Sequence, residues 1–296
     1  MKVLVTGARG MLGSDLSPIF DRQHELLATD LEELDVRDPE AVFRTFEEFE
    51  PRLVLHLAAL TNVDGCQGMQ DETFLTNAVG TKNIALASAR AGAAMVYIST
   101  GSVFDGTKSE PYTEFDHPNP RSEYSKAKYQ GELVVRELVR EHYIVRAGWM
   151  FGGGHRDKKF VGKIISLARQ GKPLQVVNDK FGSPTYTKDM AEGILKLVGT
   201  GWYGTYHLAN EGCCSRYEYA CKVLELAGVE GYPVKPVSSE AFPLPAPRPR
   251  MEAIRNYLLH LLRLDWMRPW DEALEDYIRN HLQLEDENET GADKGA

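Results

Sequence analysis

Short apolar stretches of strand length alternate with longer stretches whose apolar and polar positions suit helices, from the first residues to about residue 150. The pattern predicts strands over 2–6, 25–29, 53–57, 95–99 and 143–146. Helices are expected between them, over 11–20, 39–49, 71–91 and 121–141. Asp38 and Pro39 mark one helix start: the aspartate caps, and the proline takes the first helical position, where a missing N–H costs nothing. Such strand–helix alternation implies a parallel sheet with right-handed crossovers. The expected class is α/β, a doubly wound parallel sheet.

After Trp149 the texture changes. Gly152, Gly153 and Gly154 lead to helices expected near 158–170 and 187–198, a loop around 181–184 and a strand over 205–209. Ser215 and Glu218 have capping-box spacing for a helix reaching about residue 227. Six prolines between residues 232 and 249 exclude a helix there and predict an extended segment over a pocket. Amphipathic helices are expected over 252–264 and 270–282, and Leu258, Leu259, Leu261 and Leu262 read as core or subunit contact. The expected division is a first domain over 1–151, joined by roughly 177–211 and the C-terminal helix region. A smaller interleaved α/β substrate-binding domain takes 152–176 and 212–250, and a disordered polar tail takes 285–296.

Composition narrows the partners. With 296 residues and 43% hydrophobic content the chain can bury a sizeable core. A formal charge of −9, with Lys and Arg dispersed, argues against nucleic acid. No apolar run approaches the roughly 18 residues that span a bilayer, so no membrane partner is expected. Cys66, Cys213, Cys214 and Cys221 form no C-x-x-C pair, and no secretory leader precedes the first strand. Free thiols in a reducing cytoplasm are the expectation.

Candidate chemistry starts where the first strand runs into Gly7, Gly10 and Gly13. Glycine there allows a tight turn, close approach of backbone N–H groups to a pyrophosphate, and close packing of helix on strand, as in Rossmann-type dinucleotide sites. The bland alternative is a purely structural turn. Asp30 ends the second strand, about where a ribose partner is expected; otherwise it is a surface carboxylate. Tyr124 and Lys128 stand four apart, one above the other on a helix. A nearby ammonium favours a phenolate, so the pair suits acid–base work at neutral pH, whereas without context it is a solvated helix face. Thr100 follows the strand over 95–99, where parallel strands deliver catalytic groups; alone it would be a turn residue.

Thr6, Gly7-x-x-Gly10-x-x-Gly13, the Ser99-Thr100 strand end and Tyr124-x-x-x-Lys128 together resemble the extended short-chain dehydrogenase/reductase family. Four further runs narrow the likeness to its nucleotide-sugar 4-ketoreductases, over residues 1 to about 282. They are Val103-Phe104-Asp105-Gly106, Arg146-x-x-Trp149-x-x-Gly152, Gly182-Ser183-Pro184-Thr185-Tyr186 and Thr205-Tyr206-His207-x-Ala209-Asn210. The resemblance implies NAD(P)H-dependent reduction of the C4 keto group of a nucleotide-diphosphate 4-keto-6-deoxy sugar, of the dTDP-4-dehydrorhamnose kind. In it Tyr124 gives the proton, Thr100 polarises the carbonyl, and Lys128 binds the nicotinamide ribose and lowers the pKa of Tyr124.

By the same likeness Gly7, Arg9, Gly10, Met11, Leu12, Asp30, Leu57, Ala58 and Ala59 bind the cofactor, with Asp35 and Val36 at the adenine. Asn77 steadies the site from the next helix, and His56 is a packed histidine beside the cofactor. Ser102, Val103, Phe104 and the flat face of Trp149 are expected on the sugar, a buried core position being the alternative for Trp149. Arg248, between Pro247 and Pro249, is the candidate for the diphosphate, a surface arginine being the alternative. Where the family usually has Asp-Tyr this chain has Gly101 and Ser102, which puts the sugar's identity in doubt and implies vacated space. Asp30 would repel a 2′-phosphate and favours NADH, yet Arg9 could accept one, which keeps NADPH open.

Some members of this group place a metal such as Mg between subunits through carboxylates. Asp15 and Asp189 are the residues concerned, but aspartates near helix starts read first as caps, and no metal is assigned. A homodimer remains open. Two other readings stand beside the reductase: an epimerase or dehydratase that retains NAD, and a non-catalytic regulatory subunit of the same fold.

Overall fold

The computed structural model describes residues 1–154, 160–229 and 231–282. The first half runs β1 (Lys2–Thr6), α1 (Met11–Asp21), β2 (Glu25–Thr29), α2 (Pro39–Phe49), β3 (Leu53–His56), α3 (Val63–Gly68), α4 (Gln70–Phe74), α5 (Thr81–Ala91), β4 (Ala94–Thr100), α6 (Glu123–Leu138) and β5 (His142–Ala147). The second half runs β6 (Trp149–Phe151), α7 (Phe160–Arg169), β7 (Leu174–Val177), β8 (Phe181–Gly182), β9 (Pro184–Tyr186), α8 (Thr187–Thr200), β10 (Gly204–His207), β11 (Cys214–Ser215), α9 (Arg216–Leu226), β12 (Val234–Val237), α10 (Tyr257–Leu261) and α11 (Trp270–Tyr277).

Six strands form one sheet in the order β10-β5-β4-β3-β1-β2, every pairing parallel. The inner strands are buried on both faces, because helices cover both. Val3, Val5, Leu55, Val96 and Val145 meet α1 and α8 on one side. Leu4, Val54, Met95, Tyr97 and Ile144 meet α2, α5 and α6 on the other. From β1 the chain turns to β2 on one flank and later to β3 on the other, so the order reverses there. That reversal opens a crevice at the carboxyl ends of β1 and β3.

A second core is built from α7, α9 and α11. Ile164, Leu174, Tyr186, Tyr219, Val223, Leu274 and Tyr277 fill it. Parallel pairing of β6 with β9, with Trp149 opposite Pro184, carries the chain from sheet to second core. The Asp38 cap and the Ser215–Glu218 capping box form as their spacing predicts.

Several elements differ from expectation. Only Tyr257–Leu261 is helical within 252–264. Residues 251–254 are extended instead, with bridges from Met251 to Phe181 and from Ile254 to Tyr112. Backbone pairing with two other segments outweighs the local helical pattern. The stretch 71–91 is helical but passes through a π turn, Leu75–Gly80, and α3 precedes it. Helix α11 packs in the second core, because Ala273, Leu274 and Tyr277 face α7 and α9 rather than the sheet. Within the leucine cluster Leu259 is core, while Leu261 and Leu262 are exposed. The predicted tail at 285–296 lies outside the described residues. Among the described residues no helix is long and apolar enough to cross a membrane.

Candidate active site

Two clefts meet over the carboxyl ends of the sheet. The first, about 580 Å³, is lined by Gly7, Arg9, Gly10, Met11, Leu12, Asp30, Asp35, Val36, Leu57, Ala58 and Ala59. Gly7 has φ +72°, and a Cβ there would lie 2.7 Å from the Ala58 nitrogen, so the turn after β1 closes on the end of β3 only with glycine. Gly10 precedes α1 in extended conformation with no side-chain cap, which leaves the first N–H groups of an eleven-residue helix open to the cleft. Asp30 accepts the Arg9 backbone N–H at 2.9 Å and that of Leu31 at 2.8 Å, so it shapes the loop as well as facing the cleft. The Arg9 guanidinium is engaged by Glu33 at 2.6 Å. Asp35 forks onto Arg37, which also pairs with Glu72, and Arg37 in turn holds the Asp35 carboxyl below its usual range. Glycines that a side chain would obstruct, an uncapped helix start and a carboxylate at the end of β2 fit a dinucleotide.

Not every expected cofactor residue lines this cleft. Asn77 is buried in the π turn, where its amide accepts from the Leu60 N–H at 2.8 Å and donates to the Leu60 carbonyl at 3.0 Å. It clamps the loop after β3 and does not reach the cleft surface. His56 bonds Thr6 at 2.7 Å and Thr81 at 3.1 Å, and burial, helped by the Lys128 charge, pushes it down to about 3. It is a neutral packing residue, as its position beside the cofactor cleft predicts.

The second cleft, about 890 Å³, joins the first at Thr61 and Met150 and is lined by Thr100, Gly101, Ser102, Tyr124, Trp149, Arg216, Arg248 and Glu252. Tyr124 and Thr100 thus face the same cleft. The Thr100 hydroxyl bonds that of Ser102 at 3.0 Å, Ser125 donates to Ser102 at 3.0 Å, and Ser122 and Ser125 are 2.7 Å apart. A chain of hydroxyls thus holds Thr100 from behind.

The lowering of Tyr124 by Lys128 is not found. Burial pushes the phenol up, Cys66 and Glu252 add to this, and a hydrogen bond with Thr100 opposes it. Lys128 is 3% exposed with its Nζ 4.2 Å over the Tyr97 ring, and burial pushes it down to about 7. An ammonium that is half lost near neutrality and turned toward Tyr97 does not offset the burial of the phenol.

The sugar side brings further corrections. Val103 and Phe104 are buried away from the cleft, with Phe104 stacked on Tyr112 at 4.3 Å, because the 3-10 turn Gly101–Val103 directs them inward. Nor is there open space at Gly101: a Cβ there would lie 2.8 Å from the Glu252 carbonyl oxygen. Trp149 does line the cleft, donating from Nε1 to Glu252 at 2.9 Å. Its indole lies against Gly182, where a Cβ would come within 2.1 Å of the ring. Arg248 lines the cleft too, but Asp64 pairs with it at 3.0 Å and the Ala246 carbonyl accepts from it at 3.0 Å. Asp15 accepts from Thr187 and Gly153, and Asp189 takes Arg268 at 2.8 Å and Asn210 at 2.7 Å. Both carboxylates are engaged within the fold.

Reasoning from sequence missed Arg216 and Glu252. Arg216 was visible only as a residue after a predicted cap, and Glu252 was hidden by the mistaken helix over 252–264. Also missed was Glu132, fully buried, which accepts from Ser99 at 2.6 Å and from Arg146 at 2.8 and 2.7 Å. That ion pair ties α6, which carries Tyr124, to β4 and β5.

A doubly wound sheet with a dinucleotide cradle, and a Tyr-x-x-x-Lys helix beside a threonine strand end, define the extended short-chain dehydrogenase/reductase class. The RmlD substrate binding domain model matches residues 1–283, and the chain belongs to that family. The spore coat polysaccharide biosynthesis protein SpsK of Bacillus subtilis is 36% identical over 279 residues, 94% of this chain and 97% of that protein. The crystal structure of a dTDP-4-dehydrorhamnose reductase from Clostridium acetobutylicum is similar with TM-score 0.92 and 41% identity, over 96% of this chain and 100% of that one. The dTDP-4-dehydrorhamnose reductase of Bacillus anthracis in complex with NADP gives 0.90 and 37%, over 94% and 98%.

Proposed function

We propose that the protein reduces the C4 keto group of a nucleotide-diphosphate 4-keto-6-deoxy sugar, converting dTDP-4-dehydrorhamnose to dTDP-rhamnose with NAD(P)H. The observation that carries this reading is that Tyr124 and Thr100 line one cleft, which shares Thr61 and Met150 with the dinucleotide cradle. Relatives named dTDP-4-dehydrorhamnose reductase support the substrate. We take 1–151 as the cofactor half, and 152–176 with 212–250 as the substrate half.

When bound, the reduced nicotinamide supplies hydride to the carbonyl carbon. The glycine turn, the uncapped start of α1, and residues Asp30, Asp35 and Val36 would hold the dinucleotide. Thr100, fixed by Ser102, donates a hydrogen bond to the ketone oxygen and so polarises it. Tyr124 delivers its proton to that oxygen as negative charge develops there. Its raised pKa keeps the phenol protonated at working pH, and the incipient alkoxide is basic enough to take the proton.

The cofactor preferred is NADH. Asp30 lines the cleft, and Arg9, which could meet a 2′-phosphate, is paired with Glu32 and Glu33. The NADP complex of the Bacillus anthracis relative shows that a protein of this kind accepts the phosphate, so the preference is one of degree.

The test uses NADH deuterated at the transferred position with dTDP-4-dehydrorhamnose. One deuterium at C4 of dTDP-rhamnose, with stoichiometric NADH oxidation, is the expected result. Turnover without net oxidation would point to an epimerase or dehydratase.

A further inference from the structure

Resting on that reading, we propose that Arg216, not Arg248, pairs with the pyrophosphate of the substrate, and that the cavity beneath the proline-rich segment takes the nucleoside. The two arginines of the cleft are in different states. Arg248 is tied to Asp64 and to the Ala246 carbonyl, and Asp64 also accepts the Ala246 N–H at 3.2 Å, which fixes the whole turn. Lys180 is likewise engaged, donating to the Arg248 carbonyl at 2.8 Å.

Among the described residues Arg216 has no such partner. Its guanidinium carbon sits over the Trp149 indole, 3.4 Å from the ring centroid, and 5.0 Å from that of Phe160. Among the described residues none accepts a hydrogen bond from its side chain. Glu252, whose Oε2 takes the Trp149 Nε1, acts on it only through space. A guanidinium with five donors, partly withdrawn from water and unmatched by an acceptor, is costly to keep unless a ligand supplies the acceptors. Contact with the indole restrains the side chain, and a guanidinium so held can offer two N–H groups in the bidentate geometry that phosphate oxygens accept.

Its position gives the reading its direction. Trp149, Arg216, Arg248 and Glu252 line both the sugar cleft and a second cavity of about 320 Å³, so what separates the two arginines is their partners. That cavity is walled by Val177, Phe242, Pro243 and Leu244, apolar surface suited to a base and deoxyribose. From Tyr124 to Arg216 to this cavity the chemistry runs sugar, pyrophosphate, nucleoside, the covalent order of the substrate.

Titration calorimetry with dTDP and with thymidine, on the full chain and its variants, tests this. Arg216→Met should weaken dTDP at least about tenfold and leave thymidine unchanged, as expected for loss of a charged hydrogen bond. Arg216→Lys, which keeps charge but not the fork, should recover part of the loss and shows that the protein folds. Arg248→Met should cost less than Arg216→Met. If both Arg216 variants bind dTDP as the wild type does, or if Arg248→Met costs more, the assignment is overturned. Wild-type turnover of the nucleotide-linked ketosugar on the same preparation separates the cases. Turnover with an indifferent Arg216 removes only this assignment, whereas a wild type that neither turns over nor binds dTDP removes the functional reading with it.

Discussion

A lysine buried under a helix behaves differently from one on its surface, and Lys128 shows the consequence. Its ordinary value of 10.5 falls to about 7 in the fold because burial disfavours the charge. Between those values the unfolded chain holds a proton that the folded chain has lost, so stability rises with pH across the window. Below about 7 both states are charged and the burial penalty is at its fullest. Lys128→Met lacks that penalty, so its Tm relative to wild type should be highest below pH 7 and decline as pH rises toward 10.5. A difference that stays flat with pH would show that the lysine is not buried in this way. At Asp30, replacement by Ser should raise the ratio of kcat/KM for NADPH over NADH, and an unchanged ratio would remove the residue from cofactor choice. The residues legible in the sequence were those set by local spacing: Gly7, Gly10, Gly13, Tyr124 and Lys128. The sense of the Tyr124 shift was not legible, because it is set by burial and by Cys66 and Glu252, which come from other parts of the chain.

Among the elements, α6 matters most because it carries Tyr124 and Lys128. Glu132, in its third turn, receives Ser99 from β4 and Arg146 from β5, and Arg136 from its own helix at 2.8 Å. Glu132→Ala would leave Arg146, 2% exposed, as an uncompensated buried charge. The expected loss is about 3–5 kcal/mol of unfolding free energy, measured by urea titration. A loss well under about 1 kcal/mol would mean that the network adds little to the fold. The strands and most helices of the sheet were readable because each pattern there agrees with its tertiary role. Residues 251–254 were not, since their apolar spacing suits a helix while their backbone pairs with Tyr112 and Phe181. That single error concealed Glu252, and with it the inner wall of the sugar cleft.

For the molecule as a whole, two neutral buried histidines set an acid limit. His56 and His207 are both pushed down to about 3, mainly by burial, from an ordinary value of 6.5. As pH falls below 6.5 the unfolded chain takes up these protons and the folded chain does not, so stability is lost progressively toward about 3. Thermal unfolding should show Tm falling already between pH 6.5 and about 5, where carboxylates remain ionised. His207→Gln should flatten that slope, and a wild-type Tm constant over the window would contradict the burial of both rings. The architecture was legible at this scale from strand–helix alternation and the glycine turn. The second core was less so, because its members come from three separated segments.

In reduction of a nucleotide-linked 4-keto sugar, delivery of the proton by Tyr124 is the decisive step. Its most direct test is oxidation of NADH, and separately NADPH, by wild type and Tyr124→Phe with dTDP-4-dehydrorhamnose as substrate. Wild type should consume cofactor, and the variant should be slower by roughly 10²–10⁴-fold with cofactor binding intact. A variant as fast as wild type, or a wild type that binds NADH yet leaves the ketosugar unreduced, would contradict it.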